Sequence, residues 1–230
     1  MPENSMESHP MLFAPDIDFP ENVFVAARLR SAPDDGLWYP MEEALLPTKR
    51  VSLRQVHGGR VFVIESPEDV PAVAGREGDG LISLVPKVAL TIKVADCAPV
   101  VLYHSEGKAV ALIHAGWRGT LAKIVENAVS LLADKGIPPS SLGAFIGPAI
   151  NFEDYEVGEE FLDYFPHTAG FFNGRVHFDL YAEIERRLKL AGVPSVRRLN
   201  VSTYSANYLH SFRRDREKSG RNEVFVWLGG

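Results

Sequence analysis

Few residues in this chain are equipped for metal or nucleophilic chemistry. The single cysteine, Cys97, stands in "VADCAPVV". His114 stands in "LIHAGWRG" and His57 in "RQVHGG". Each follows an apolar run and precedes Gly or Pro, the pattern of a strand ending in a turn. Strand ends gather at the rim of a sheet, so residues far apart in sequence can meet there. Two imidazoles and a thiolate form a ligand set suited to Zn²⁺ or copper. Three protein ligands leave a fourth position on zinc, where the pKa of water falls towards ~7. The same residues admit a second chemistry, with Cys97 as nucleophile and His114 as its base. Neither the His57–Cys97 nor the Cys97–His114 interval matches a zinc-finger or HExxH spacing, and a lone cysteine in a strand is commonly a small buried apolar residue. Spacing therefore leaves a metal site, a Cys–His dyad and a structural core open.

The neighbours of these residues add to the chemistry. Asp96 precedes Cys97, an odd neighbour for a plain core position, and is a candidate proton shuttle or a group that orients a ligand histidine. Asp79 is a second, weaker candidate for the shuttle. After His114 the chain reads "AGWRGT", where Gly116 and Gly119 permit a sharp turn into a helix. The first amides of that helix, with Arg118, suit an anion such as phosphate. Trp117 or Tyr155 could stack on a flat ring, and Arg213 or Arg214 could add to the anion site. The plainer alternatives are a core Trp117, an Arg118 paired with a surface acid, and a solvated turn in "RRDREKSGR".

These residues need strands to hold them. "NVFVAARL", "VALTIKVAD", "GAFIGPAI" and "EVFVWL" read as strands. "PVVLY" and "AVALIHA" are apolar runs joined by Ser-Glu-Gly-Lys, a hairpin signal. "VSLRQVHGGRVFVIES" reads as two strands hinged at His57-Gly58-Gly59, and "SPEDVPAVAGREGDG" as a loop. Apolar residues at helical spacing predict a helix from Gly119 to Lys135, closed by Gly136. "VGEEFLDYF" and "LYAEIERRLKLAG" predict two more, the second ending at Gly192. Strands outnumber helices and hairpins mix with crossovers, so the expected class is α+β with mixed sheets. Residues 1–20 are expected to be a loose N-terminal segment, and 21–230 one domain.

The chain has 230 residues, 46% hydrophobic and 23% charged, with a net charge of −6. That charge argues against a nucleic-acid partner held through its phosphates. One cysteine excludes an internal disulfide and fits a reducing compartment. The N-terminal "MPENSMESHPMLFAPDIDF" lacks a basic region followed by an apolar one, so no signal peptide is expected. No run of 18 apolar residues suggests a membrane span. The expected location is the cytoplasm, without membrane partners, as a monomer or homodimer.

The motifs "RQVHG", Asp79-Gly80, "ADCAPV", "HAGWRG", "GPAI" followed by "YEVG", and "SFRRD…SGR…VFVWL" occur in this order. Over about residues 50–230 they resemble the bacterial laccase-domain family, also known as multicopper polyphenol oxidases and now described as zinc-dependent purine nucleoside phosphorylases. The resemblance implies an α/β sandwich of mixed sheets, similar to the cysteine-hydrolase-like fold of deamidating toxins. It implies one metal, usually zinc with copper as an alternative, on His57, Cys97 and His114. The implied substrates are purine nucleosides and phosphate, with phosphorolysis of adenosine and methylthioadenosine and hydrolytic deamination of adenosine. Copper-dependent phenol oxidation and editing of peptidoglycan precursors are also attributed to members. A metal-free Cys97–His114 amidase or deamidase is the alternative from the residues alone.

Two departures stand out. The family's "TxRxGGVS…NL" segment after the first strand is replaced by "AARLRSAPDDGLWYPMEEALL", shorter and without the double glycine. A "CTY"-like motif appears as Ser202-Thr203-Tyr204. Fewer soft ligands, and seven histidines with none in an H-x-H pair, argue against several coppers.

Overall fold

The computed structural model describes residues 11–13, 19–31 and 39–230. In chain order the strands and helices are β1 (Met11–Phe13), β2 (Val23–Arg28), β3 (Tyr39–Pro40), β4 (Lys49–Ser52), β5 (Val61–Ile64), α1 (Val70–Val73), β6 (Gly80–Ser83), β7 (Val88–Val94), β8 (Ala98–His104), β9 (Val110–Ala115), α2 (Trp117–Leu121), α3 (Ile124–Asp134), β10 (Leu142–Ile146), α4 (Phe161–Tyr164), β11 (Ala169–Phe172), β12 (Arg175–Phe178), α5 (Leu180–Leu190), β13 (Ser195–Arg198), α6 (Phe212–Asp215) and β14 (Asn222–Leu228). Among the described residues they build two six-stranded sheets, ordered β3-β1-β2-β14-β7-β4 and β13-β10-β8-β9-β6-β5, with β11 and β12 as a separate pair. Both large sheets are mixed. The pairs β4–β7, β5–β6 and β10–β13 are parallel, and the remaining pairs are antiparallel.

The sequence of β8 and β9 shows why they lie at the centre. Every residue of both strands is buried. Val101, Tyr103 and Leu112 face the first sheet and pack with Val25, Leu90, Ile92 and Val226. Val100, Leu102 and Ile113 face the other way and pack with Ile124, Val125 and Leu132 of α3 and Ile184 and Leu188 of α5. A sheet covered on both faces needs apolar residues at every position, so the strands read as continuous apolar runs rather than alternating ones. The mixed-sheet sandwich expected from the sequence is the fold observed.

Several local readings change. β1 lies within the stretch 1–20 expected to be loose, yet it pairs antiparallel with β2. Phe19 packs edge-on against Tyr103 and Phe145. The other residues of that stretch, 1–10, 14–18 and Pro20, either lie outside the described residues or form no strand. β4 and β5 are not a hairpin, because β4 belongs to the first sheet and β5 to the second. The predicted helix 119–135 starts earlier, at Trp117, and breaks at Lys123, whose φ is 61°. The Asn127 side chain takes up the freed carbonyl of Ala122 (3.3 Å) and also binds Gly59 O (2.8 Å). The helix expected over "VGEEFLDYF" is reduced to the single turn α4. Asn173-Gly174, with φ of 51° and 78°, turns β11 into β12. That Asn-Gly pair is a hairpin signal the sequence reading passed over.

One buried hydroxyl ties the helical layer to the rim of the sheets. Tyr181 Oη accepts from the Ala149 amide (2.7 Å) and lies 3.0–3.2 Å from the carbonyls of Gly147, Leu199 and Val201. Burial pushes its pKa up, so the group stays a neutral donor. Tyr181→Phe strands the Ala149 amide and is expected to destabilise the fold by about 1–3 kcal/mol, read by urea unfolding.

Candidate active site

The three candidate ligands sit where the chain leaves one sheet for another layer. His57 lies in the passage from β4 to β5. Asp96 and Cys97 lie in the three-residue passage from β7 to β8, and His114 is near the end of β9. Short crossings need unusual backbone, and His57 (φ 59°) and Asp96 (φ 86°) supply it. Left-handed φ at non-glycine residues is uncommon and concentrates at functional sites. His57 makes the bend itself, whereas Gly58 and Gly59 do not adopt positive φ. Close packing after α2 requires the small residue at Gly59, whereas Gly58 has ordinary room for a Cβ. A Cβ on Gly59 would collide with the Ala122 carbonyl, and Gly58 O is 3.2 Å from the Cβ position of Gly119.

Asp79 joins the pieces. It is fully buried. Its carboxylate accepts from the amides of Val56 (3.2 Å), His57 (2.9 Å) and Gly58 (2.7 Å) and pairs with His114 Nδ1 at 2.8 Å. Burial alone would raise its pKa, but the His114 hydrogen bond and the Gly58 amide reverse that and hold the carboxyl below its usual range. This residue, read from sequence as a weak candidate for proton transfer, is instead saturated by its partners. Its engagement of Nδ1 leaves His114 Nε2 for the hydrogen bond to Cys97 or for a metal. A carboxylate behind an imidazole is the usual device for fixing a ligand histidine.

The ligand atoms of His57, Cys97 and His114 lie within 4.8 Å of one another, the one such group of three among the described residues. The His57 and His114 rings meet edge to face, 4.7 Å between centroids. The donor set of two nitrogens and one sulfur, gathered this closely, fits zinc or copper. Burial would push the Cys97 thiol up, but the His114 charge and hydrogen bonds from His114 and His57 bring it down to about 6. Burial would likewise lower His114, and the Cys97 charge and Asp79 hydrogen bond carry it up to about 9. Both shifts express one attraction between thiolate and imidazolium. The thiolate is the form that ligates metal and the form that attacks carbon.

The trio opens into a cleft of about 750 Å³. Trp117, Arg118, Tyr155 and Arg213 line it, as does Asp96. Arg214 does not, because its guanidinium is spent on the carbonyls of Thr203, Tyr204, Ala206 and Leu209 and on Asp215. Asp96, expected as a proton shuttle, has one oxygen on Thr203 Oγ1 (2.7 Å) and the other on the Arg213 amide (2.6 Å). It holds the C-terminal segment against the cleft. Trp117 has the Arg118 guanidinium 4.4 Å from its ring centre and the Tyr164 ring parallel to it at 6.4 Å, so it walls the cleft rather than offering an open face. Tyr155 lies under the Arg213 guanidinium (5.3 Å). Burial, then the nearby Cys97 charge, pushes its hydroxyl pKa up, so it remains a proton donor. The helix after Gly116 is one short turn, which leaves anion binding to side chains rather than to a helix dipole. Gln55, Lys93, Phe212, Arg216 and Arg221 also line it, and none of them carries a local sequence signal for the site.

Gly116 has an ordinary backbone (φ −90°, ψ 175°), yet a Cβ there would stand 2.6 Å from Cys97 Sγ. Gly116→Ala is therefore expected to displace the sulfur and weaken binding of a metal ion at the trio about tenfold or more while the fold persists. Competition with a chromophoric chelator, beside far-UV circular dichroism, checks it.

Residues 40–229 match the family model described as multi-copper polyphenol oxidoreductase laccase. The chain is 35% identical over 191 residues to a protein of Shigella flexneri named purine nucleoside phosphorylase YfiH, covering 80% of this chain and 75% of that one. It is 34% identical over 182 residues to a purine nucleoside phosphorylase of Deinococcus radiodurans, covering 76% and 69%. The crystal structure of Neisseria meningitidis protein NMB0706 superposes with a TM-score of 0.80 at 28% identity, covering 96% of this chain and all of that one. YlmD of Geobacillus stearothermophilus, at 23% identity, shares the fold with a TM-score of 0.76, covering 91% and 93%. No helix among the described residues is long and apolar enough to cross a membrane.

Proposed function

The chain belongs to the multi-copper polyphenol oxidoreductase laccase family, and on that premise we propose that it is a purine nucleoside phosphorylase acting at His57, Cys97 and His114. The observation that carries this reading is the union of a soft ligand trio with a cleft of about 750 Å³ lined by arginines. The relatives' names point the same way. Oxidation by several coppers needs further ligand sets, and the described residues offer one group of three.

In this proposal His57, Cys97 and His114 hold one zinc ion, with Asp79 fixing the His114 ring. The ion would supply Lewis-acid polarisation of a substrate oxygen or of water. Arg118 and Arg213 hold inorganic phosphate below C1′ of the ribose through charged, planar hydrogen bonding. The phosphate oxygen forms a bond to C1′ as the bond to the purine nitrogen breaks. Tyr155, protonated at any working pH, donates towards the substrate, and Trp117 forms a wall beside the base. Asp96 is a positioning residue, since it seats Arg213. Methylthioadenosine phosphorolysis and adenosine deamination are proposed as further reactions of the same cleft, in a cytoplasmic enzyme.

A second reading has its own observation. Cys97, His114 and Asp79 are connected as a nucleophile, a base and the carboxylate that orients it. A thiol amidase would use them without metal and without His57. Incubating the protein with adenosine, with and without phosphate, separates the readings. Adenine and ribose 1-phosphate formed only with phosphate support phosphorolysis, and inosine supports deamination. Absence of all three products overturns the nucleoside reading and leaves the amidase.

A further inference from the structure

The cleft is strongly cationic although the chain carries a net charge of −6. Lys93, Arg118, Arg213, Arg216 and Arg221 line it against one carboxylate, Asp96. Both oxygens of Asp96 are already occupied. Lys93 is shared with Glu223 at 3.3 Å. Arg221 rests on the carbonyls of Ser219 and Gly220, and Arg216 has no carboxylate within ion-pair distance among the described residues. One inorganic phosphate, met by Arg118 and Arg213, leaves Arg216 and Arg221 without an anion. Clefts lined with charge of one sign concentrate ligands of the other.

The backbone of Arg216 makes the second argument. Its φ of 52° and ψ of −131° fall where glycine is at ease and a side chain is strained. The geometry is fixed from both sides, by the Arg216 amide on Phe212 O and by the Ser219 amide on Arg216 O. Glycine would relieve the strain at no cost in hydrogen bonds. An exposed arginine held there at the expense of stability, lining both the cleft and an adjoining hollow that contains Asp215 and Glu217, with no ion pair to either, is suited to an external anion.

We infer that Arg216, supported by Arg221, receives a phosphate ester carried by the substrate itself, so that the preferred substrates are nucleoside monophosphates rather than neutral nucleosides. The inference rests on the phosphorylase reading above. With adenosine 5′-monophosphate, the C1′–N9 bond breaks and the base leaves with the electron pair. An oxygen of dihydrogen phosphate bonds to C1′ and its proton passes to the base, giving adenine and ribose 1,5-bisphosphate.

The test compares adenosine and adenosine 5′-monophosphate as substrates in saturating inorganic phosphate, for the native protein and Arg216→Gly, and records both melting temperatures. The native protein is expected to favour the monophosphate at least tenfold in kcat/KM. Arg216→Gly is expected to reduce that preference about 10–100-fold, the loss of a charged hydrogen-bonding partner. Its melting temperature is expected to rise by about 2–4 °C as the strain is released. Equal use of both substrates, or a preference unchanged in Arg216→Gly, overturns the inference while leaving nucleoside phosphorolysis standing. Turnover of neither substrate overturns both together.

Discussion

Cys97→Ala is expected to abolish zinc binding and to reduce phosphate-dependent adenine release by more than 100-fold. Replacing a partner behind a ligand commonly costs 10–100-fold in metal affinity, so removing a ligand should exceed that range. Cys97 is the chain's one cysteine, and no other sulfur ligand of this kind can replace it. His57→Ala is the decisive companion. His57 touches the thiolate from outside the Asp79–His114 pair and is the most exposed of the three. A metal centre loses a ligand with it, so zinc content and activity should fall together. A Cys97–His114–Asp79 nucleophile keeps all its parts without His57. Full activity in His57→Ala with none in Cys97→Ala would mark the protein as a thiol enzyme. Zinc content by atomic emission and product analysis by chromatography read both variants.

Asp79→Asn is expected to be the most damaging substitution outside the trio. Four donors converge on this carboxylate, three amides and His114 Nδ1. An asparagine offers one oxygen and turns an amide towards donors it cannot accept from. Breaking a buried charged pair on one side costs about 3–5 kcal/mol. The same change frees the His114 ring and the His57 loop, so zinc affinity should fall by about 10–100-fold. Urea unfolding and chelator competition measure the two losses separately. Unchanged metal affinity alongside lost stability would show that Asp79 supports the fold without orienting the ligands.

The extent to which the sequence revealed this molecule can be traced residue by residue. The apolar runs of β8 and β9 and the Gly between them announced the central hairpin, since both faces are covered and every position had to be apolar. Cys97, His57 and His114 stood out by residue type and by their place at strand ends. Sheet membership was hidden. "VSLRQVHGGRVFVIES" looks like a hairpin because local pattern specifies strands, while only long-range pairing with β7 and β6 sends β4 and β5 to different sheets. The break at Lys123 was equally invisible, as Asn127 both takes up the Ala122 carbonyl beside it and reaches Gly59, 68 positions away. Asp79 gave no local sign of its role, because its partners lie 21 to 35 positions away. Arg213 and Arg214 are neighbours in sequence, and only the turn of α6 decides that one enters the cleft and the other ties down the preceding loop. The Asn173-Gly174 pair carries a local hairpin signal, but it was not among the turns expected from the sequence.

The most direct test of the central proposal, phosphorolysis at a zinc held by His57, Cys97 and His114, is a metal titration. Zinc is added stepwise to protein stripped by a chelator, and adenine release from adenosine is followed in inorganic phosphate. The expected result is activity that rises in proportion to zinc, saturates near one ion per chain and requires phosphate throughout. Full, phosphate-dependent activity in the stripped protein, unchanged by added zinc, would contradict it.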